Sequence, residues 1–212
     1  MQNYIITIAR GFGSGGKYIG QKLGERMGIP CYEREILTMA SEKSGINESL
    51  FAKTDEKLRG SKLRNALRAM PQERTIYPQD KEFVSDNNLF AIQSDIIRTL
   101  ANSESCIIVG KCADYVLRDC RNVLSVYVDA PREYCVHSIM QKMSVSEKEA
   151  NKLIEKTDRY RADYYKYYTK GGDWVNPTNY DLFLNSARLG RNTCVDILER
   201  TIKISLFGDT EI

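Results

Sequence analysis

Residues 4–18 read YIITIARGFGSGGKY, and this stretch decides how the rest of the chain is interpreted. Its first six residues are apolar except for one threonine, a pattern typical of a strand buried on both faces of a parallel sheet. Four glycines follow within residues 11–16, and Gly16-Lys17 completes the spacing G-x-x-x-x-G-K. Helical spacing then continues to Met27. Strand, glycine loop and helix together predict an α/β fold with a phosphate-binding loop at this turn.

The chemistry of a phosphate group explains this choice of residues. Glycine lets the backbone wrap around a phosphate with no Cβ in the way, and the first turn of the next helix offers unpaired N–H groups. Lys17 can reach the β- and γ-phosphates of a nucleotide. The alternative is a glycine-rich turn without a ligand. We predict an ATP site formed by Gly11, Phe12, Gly13, Ser14, Gly15, Gly16, Lys17 and Tyr18.

The loop lacks the residue that usually holds Mg²⁺. A serine or threonine normally follows the lysine, but here Tyr18 does, and Ile19 occupies the next position. Ser14 carries a hydroxyl but does not stand at the metal position. We therefore expect Mg²⁺ with ATP and can identify no protein ligand for it.

The remaining chain alternates strands and helices. Apolar runs predict strands at 4–9, 106–109, 122–128 and 181–184. Helical spacing predicts helices at 18–27, 33–43, 88–101, 146–168 and 191–206, with a capping box at 146–149. This order indicates one domain over residues 1–212, built on an open, mainly parallel sheet. The segment at about 44–87 fits no core element and is interpreted as an excursion on the acceptor side.

Composition excludes several classes of protein. The 212 residues include 42% hydrophobic and 28% charged residues, which excludes a disordered or fibrous chain. The net charge of +3 is too small to indicate nucleic-acid binding, although residues 57–74 are locally basic. No apolar run is long enough to cross a membrane, and the start of the sequence shows no signal peptide. Six cysteines without a C-x-x-C pair, and a single histidine, argue against zinc and for a cytoplasmic protein with reduced thiols.

Four stretches resemble the cytidylate kinase-like family within the P-loop nucleoside-monophosphate kinases. They are ITIARGFGSGGKYIGQKLGERMGIPCYEREIL at 6–37, IIVGKCADYVL at 107–117, VYVDAPREY at 126–134, and DRYRADYYKYYT at 158–169 with Trp174 and YDLFLNS at 180–186. The resemblance implies a three-layer α/β/α P-loop kinase fold with a parallel sheet. It also implies ATP over the glycine loop, an acceptor site, and a helical lid at about 146–175.

The resemblance also implies acceptor-binding residues, which we assign to Tyr32, Arg34, Lys111 and Asp114. The alternative for the stretch at 31–35 is a helix start with surface charges. Cytidylate kinases carry Asp-Gly-Arg-Asp where this chain reads Val109-Gly110-Lys111-Cys112. Lys111 keeps a positive charge without the bidentate fork of arginine. Cys112 cannot act as a carboxylate acceptor, and Val109 removes a carboxylate near the metal.

Asp158-Arg159-Tyr160-Arg161 is similar to the lid signature of the family. A closing arginine stabilises the charge that develops on a transferred phosphoryl group. We therefore predict Lys17, Arg159 and Arg161 as catalytic residues. The alternative is a solvated helix on which Arg159 pairs with Asp163, four residues further on.

These observations favour an ATP-dependent phosphotransferase. The first candidate acceptor is a nucleoside monophosphate such as CMP. Two alternatives stay open: a nucleotide-binding protein without phosphoryl transfer, and a kinase for a non-nucleotide acceptor. The expected partners are small-molecule nucleotide substrates, with no membrane and no nucleic acid among them, and the oligomeric state is left open.

Overall fold

The computed structural model describes residues 3–46, 48 and 86–207. Its centre is one parallel sheet of five strands in the order β2-β3-β1-β4-β5. The strands are β1 (Ile5–Arg10), β2 (Cys31–Tyr32), β3 (Cys106–Val109), β4 (Val123–Asp129) and β5 (Leu182–Asn185). All four strand pairs are parallel, so every strand ends at the same edge of the sheet. That edge is where ligands bind in open α/β sheets.

Helices cover both faces of the sheet. In the described part of the chain they are α1 (Gly16–Met27), α2 (Glu35–Ser44), α3 (Asp86–Ser103), α4 (Ala113–Val116), α5 (Arg132–Met143), α6 (Glu147–Tyr168), α7 (Ser186–Leu189) and α8 (Arg191–Phe207). A short 3₁₀ helix spans Pro177–Asn179. The three-layer α/β/α arrangement expected from the sequence is confirmed.

Successive residues of β1 point to opposite faces of the sheet and belong to two separate cores. Ile5 packs with Ile36 of α2 and Ile97 of α3. Ile6 is buried on the other face, in the core that holds Leu23 of α1 and a buried stripe of α8. An unbroken apolar run was therefore the correct signal for a strand covered on both sides.

Helix α6 is held at both ends. Its start is capped as predicted, because the Ser146 hydroxyl accepts from the Glu149 N–H and the Glu149 side chain accepts from the Ser146 N–H. Its last turns pack tyrosines against the core, with Tyr168 stacked on Phe90 of α3 at 3.8 Å between ring centroids. In its middle, Asp158 and Arg161 contact the end of β1 and the segment directly after it, so the helix crosses the carboxyl edge of the sheet.

The other predicted boundaries agree with the structure to within about two residues, but β2 and the short helices α4 and α7 were not predicted, and no bounds were given for α5. The proposed excursion at 44–87 and the basic segment at 57–74 lie largely or wholly outside the described residues. All six cysteines are free thiols. None of the helices in the described ranges combines the length and apolarity needed to cross a membrane.

Candidate functional site

The glycine loop between β1 and α1 has a shape that only glycine allows at two positions. Gly13 and Gly15 have φ angles of 95° and 90°, in the left-handed region. A Cβ on Gly13 would lie 2.7 Å from the carbonyl oxygen of Cys135. On Gly15 it would lie 2.5 Å from Nε of Arg191. The glycines are therefore required by how closely the loop passes its neighbours.

The loop leaves a run of backbone donors open. The Gly11 N–H donates to the Val128 carbonyl at 3.1 Å, which fixes the loop to β4. The N–H groups of Gly13, Gly15, Gly16 and Lys17 donate to no acceptor among the described residues. Open amides at the start of a helix form a cradle for an anion. The loop therefore offers a cradle for an anionic group such as a phosphate.

The two loop side chains with hydroxyl groups are directed elsewhere. Ser14 is buried, and its hydroxyl donates to the carbonyls of Gly11 at 2.8 Å and Val128 at 3.0 Å. Tyr18 is 43% exposed, and its hydroxyl lies 3.5 Å from Oδ1 of Asn192. Ser14 supports the conformation of the loop, and Tyr18 points away from it.

Lys17 is joined to the opposite side of the site by an ion-pair chain. Its ammonium lies 2.5 Å from Oε2 of Glu33, and Oε1 of Glu33 lies 2.9 Å from the guanidinium of Arg10. Burial alone would raise the pKa of Glu33, but the hydrogen bonds and charges of Lys17 and Arg10 lower it overall. Glu33 is therefore an ionised carboxylate that bridges two cations.

Helix α6 contacts the loop through two of its charged residues. The Phe12 N–H donates to Oδ1 of Asp158 at 2.8 Å, and the Arg161 guanidinium donates to the Arg10 carbonyl at 2.8 Å and to Asp158 at 3.3 Å. Burial, and then the charge of Arg10, lower the pKa of Arg161 to about 9. Arg161 is thus a partly desolvated cation beside the phosphate loop.

A cavity of about 490 Å³, called the central cavity below, opens between the ends of β1 and β3, the start of α2, and α6. Five cations and two carboxylates line it: Arg10, Arg34, Lys111, Lys156, Arg161, Glu33 and Asp114. Four aromatic side chains form part of its wall: Tyr160, Tyr164, Tyr165 and Trp174. The excess of positive charge suits a small anionic ligand with room for an apolar or aromatic group.

Asp114 is a buried acid in the wall of this cavity. It is 9% exposed, and its Oδ2 has no hydrogen-bond partner among the described residues. Burial raises its pKa to about 6, although a hydrogen bond from the Tyr165 hydroxyl opposes the rise. An unpaired buried oxygen is costly unless a ligand supplies its partner. Asp114 is therefore suited to accept from an N–H or O–H group of a ligand.

The structure brings most of the predicted acceptor residues together. Arg34, Lys111 and Asp114 all line the central cavity. Tyr32 does not, because its hydroxyl donates to Oε1 of Glu104 at 2.7 Å and its ring packs into the core of α2 and α3. The prediction for Tyr32 therefore lacks support from its position.

The two predicted lid arginines are separated. Arg161 lines the cavity, whereas Arg159 is 69% exposed and lies 2.5 Å from Glu155 one turn earlier. Residues two apart on a helix point in different directions, so one ligand cannot contact both arginine side chains here. The alternative of a solvated Arg159 describes its position, but the pair is formed with Glu155 and not with Asp163.

The sequence analysis named neither Arg10 nor Glu33 as a site residue, although Glu33 lies in the stretch at 31–35 that it weighed as part of the acceptor site. Arg10 ends β1 directly before the glycine loop, and Glu33 comes directly after β2. Both therefore lie at the carboxyl edge of the parallel sheet, where ligands bind. Charged residues at the ends of buried strands were the signal that could have identified them.

The described residues contain no group of three or more side chains that could hold a metal ion by themselves. Ile19 and Val109 are fully buried in the core. Asp129 and Asp158 flank the loop, and burial raises the pKa of each. Because Mg²⁺ at phosphate sites needs only one or two carboxylates besides phosphates and water, an ion here would take most of its ligands from a bound phosphate group and solvent.

A second cleft of about 710 Å³ lies beside the first turn of α1. It is lined by Tyr18 of α1, by Tyr134 and His137 of α5, and by Arg191 and Asn192 of α8. The Arg191 guanidinium faces the rings of Tyr18 and Tyr134 at 5.9 and 5.7 Å. Planar cationic and aromatic groups form a surface on which a base could stack.

Comparisons with known proteins agree with this geometry. A family model described as the cytidylate kinase-like family matches residues 5–188. The comparison with curated proteins gave no match.

Solved structures supply the fold relatives. An uncharacterized protein from Eubacterium ventriosum ATCC 27560 is 26% identical with a TM-score of 0.69, over 95% of this chain and 99% of that one. Shikimate kinase from Bacteroides thetaiotaomicron is 12% identical with a TM-score of 0.54, over 94% and 98%. A gluconokinase from Sinorhizobium meliloti 1021 is 12% identical with a TM-score of 0.50, over 98% of each chain.

Proposed function

Because the chain belongs to the cytidylate kinase-like family, we propose that it transfers the γ-phosphoryl group of ATP to a small acceptor bound in the central cavity. The observation that carries this proposal is the glycine loop. Its open amides lie directly after Arg10, and Lys17 pairs with Glu33; Arg10 and Glu33 line the same cavity as Arg161, Lys111 and Asp114. A phosphate donor and an acceptor would therefore meet at one place.

The residues around the loop have separate tasks in this proposal. The loop amides and Lys17 hold the β- and γ-phosphates, and the second cleft receives the base. Arg161, which burial partly desolvates, stabilises the charge that develops on the transferred group. One preorganised donor of this kind contributes about 10²–10³ in rate. Arg159 keeps its predicted catalytic role only if α6 changes position.

The acceptor is proposed to be anionic, because five cations line the cavity against two carboxylates. The family makes a nucleoside monophosphate such as CMP the first candidate. Asp114 Oδ2 would accept from an amino or hydroxyl group of that acceptor. The cavity volume of about 490 Å³ lies in the range of small-molecule sites.

A second candidate is a nucleotide-binding protein that does not transfer the phosphoryl group. Three positions that could have supplied an Mg²⁺ ligand supply none, and this favours the second candidate. Tyr18 points away from the loop, and Ile19 and Val109 are core residues. Under this candidate ATP raises the melting temperature without ADP formation, and Mg²⁺ adds little to the rise.

The two candidates are separated by measuring binding and turnover on the same protein. ATP at 100 times its Kd should stabilise the fold by about 2.7 kcal/mol. ADP formation is then followed with CMP, UMP and AMP. Lys17→Ala should abolish most of the stabilisation, whereas Lys22→Ala, an exposed lysine on the same helix, should not. Stabilisation that survives in Lys17→Ala would place the phosphates elsewhere.

A further inference from the structure

Glu33 is the carboxylate that lies next to the phosphate-binding lysine. Its Oε2 is 2.5 Å from the Lys17 ammonium, and the Glu33 side chain is only 24% exposed. Its own N–H donates to Oε2 of Glu35 at 2.8 Å, which fixes the backbone directly after β2. The carboxylate is therefore held in place at the wall of the central cavity.

This position borders the point where the acceptor atom must lie. If Lys17 holds the γ-phosphate, an attacking atom has to approach the phosphorus to about 3–3.5 Å from the cavity side. Glu33 touches Lys17 from that side. The other carboxylate of the cavity, Asp114, lies on α4 beside Tyr165 and does not contact Lys17.

A carboxylate at this place suits one type of acceptor atom better than another. A phosphate oxygen is already ionised, so it gains nothing from a base, and Glu33 would repel it. A hydroxyl has a proton to lose, and a positioned carboxylate that takes it contributes about 10²–10⁴ in rate. The cations Arg10, Arg34, Lys111 and Lys156 would still bind an anionic group elsewhere on the same molecule.

Resting on the proposed function, we infer that the acceptor is a small anion carrying a hydroxyl group, and that Glu33 accepts the hydroxyl proton. The hydroxyl oxygen forms a bond to the γ-phosphorus while the bond to the β–γ bridging oxygen breaks. ADP leaves with that electron pair, and the proton passes to the Glu33 carboxylate and later to water. The product is a phosphomonoester of the acceptor.

The ion-pair chain gives Glu33 two states. Without nucleotide it pairs with both Lys17 and Arg10. When Lys17 turns to a phosphate, Oε2 of Glu33 is released toward the cavity. The loss of that cation also raises the proton affinity of the carboxylate, because Lys17 is one of the groups that lower its pKa.

The test compares Glu33→Gln with the wild type and with Glu25→Gln, which removes an exposed carboxylate from α1. Water serves as the simplest hydroxyl acceptor, in slow ATP hydrolysis, and shikimate, gluconate and CMP are added in separate arms. Glu33→Gln should lower ADP formation from water by at least about 10²-fold and remove the acid limb of the pH–rate profile. The thermal shift with ATP should be kept or increased, because Lys17 loses its competing partner.

Two results would overturn the inference and leave the proposed function standing. One is ADP formation at the same rate in Glu33→Gln as in the wild type. The other is conversion of CMP to a phosphoanhydride, seen by ³¹P NMR, at a rate that does not depend on Glu33. If the wild type binds ATP but forms no ADP in any arm, the proposed function fails and the inference fails with it.

Discussion

Replacing Asp114 with asparagine should stabilise the protein at neutral pH and change it much less at acid pH. In the folded chain Asp114 is 9% exposed and burial raises its pKa to about 6, whereas the ordinary value is 3.8. Between these values the unfolded chain has lost the proton and the folded chain keeps it. The free energy of unfolding therefore falls as pH rises from about 4 to about 6 and stays low above that.

The size of the effect follows from the difference of about two in pKa. At 1.36 kcal/mol for each pKa unit, the ionised carboxylate lowers stability by about 3 kcal/mol at pH 7.5 and by about 1 kcal/mol at pH 4.5. Asparagine keeps the size of the side chain and has no charge to bury. Its advantage over aspartate should therefore grow by about 2 kcal/mol between those two pH values. This difference does not depend on how well the amide itself is accommodated.

Urea unfolding at the two pH values measures this difference. The fluorescence of Trp174 reports the transition, since it is the single tryptophan, is buried, and lines the same cavity. Asp95→Asn, which replaces an exposed carboxylate on α3, is the control. Its effect on the free energy of unfolding should not increase between the two pH values. A stability change of equal size at both pH values would refute the reasoning. The same Asp114 variant should weaken acceptor binding and leave the ATP-dependent thermal shift unchanged.

Two further predictions concern the glycine loop and helix α6. Arg161→Ala should lower kcat/KM for ADP formation by about 10²-fold or more. Arg159→Ala should change it less than about threefold, because the exposed ion pair of Arg159 contributes little. Equal losses in the two variants would contradict the different roles inferred from the positions of the two arginines. Gly13→Ala should lower the free energy of unfolding by about 2–4 kcal/mol, from left-handed strain and a clash with the backbone at Cys135. In Gly28→Ala the new Cβ has nothing within 4 Å, so urea titration should show only the left-handed strain, a loss of about 1–2 kcal/mol. Equal losses in the two variants would exclude the clash.

Much of the fold could be predicted because its signals are local. The strand at Cys106–Val109 was placed correctly from a run of four apolar residues that are buried on both faces. The capping box at Ser146 needs only four neighbouring residues. Strand β2 was missed because its two residues have no periodicity of their own, and pairing with β3 alone makes them a strand.

The sequence by itself determined the glycine loop, because Gly13 and Gly15 are needed for a backbone shape that other residues rarely adopt. Only the tertiary structure decided which charges share the site. Arg10, Glu33 and Arg161 are distant in sequence, and each charge taken alone is typical of a solvated surface. Strand order and the crossing of α6 bring them together, and burial in that place makes their interaction strong. The same crossing directs Arg159 to solvent. No local sequence pattern could have shown that Arg161, and not Arg159, faces the site.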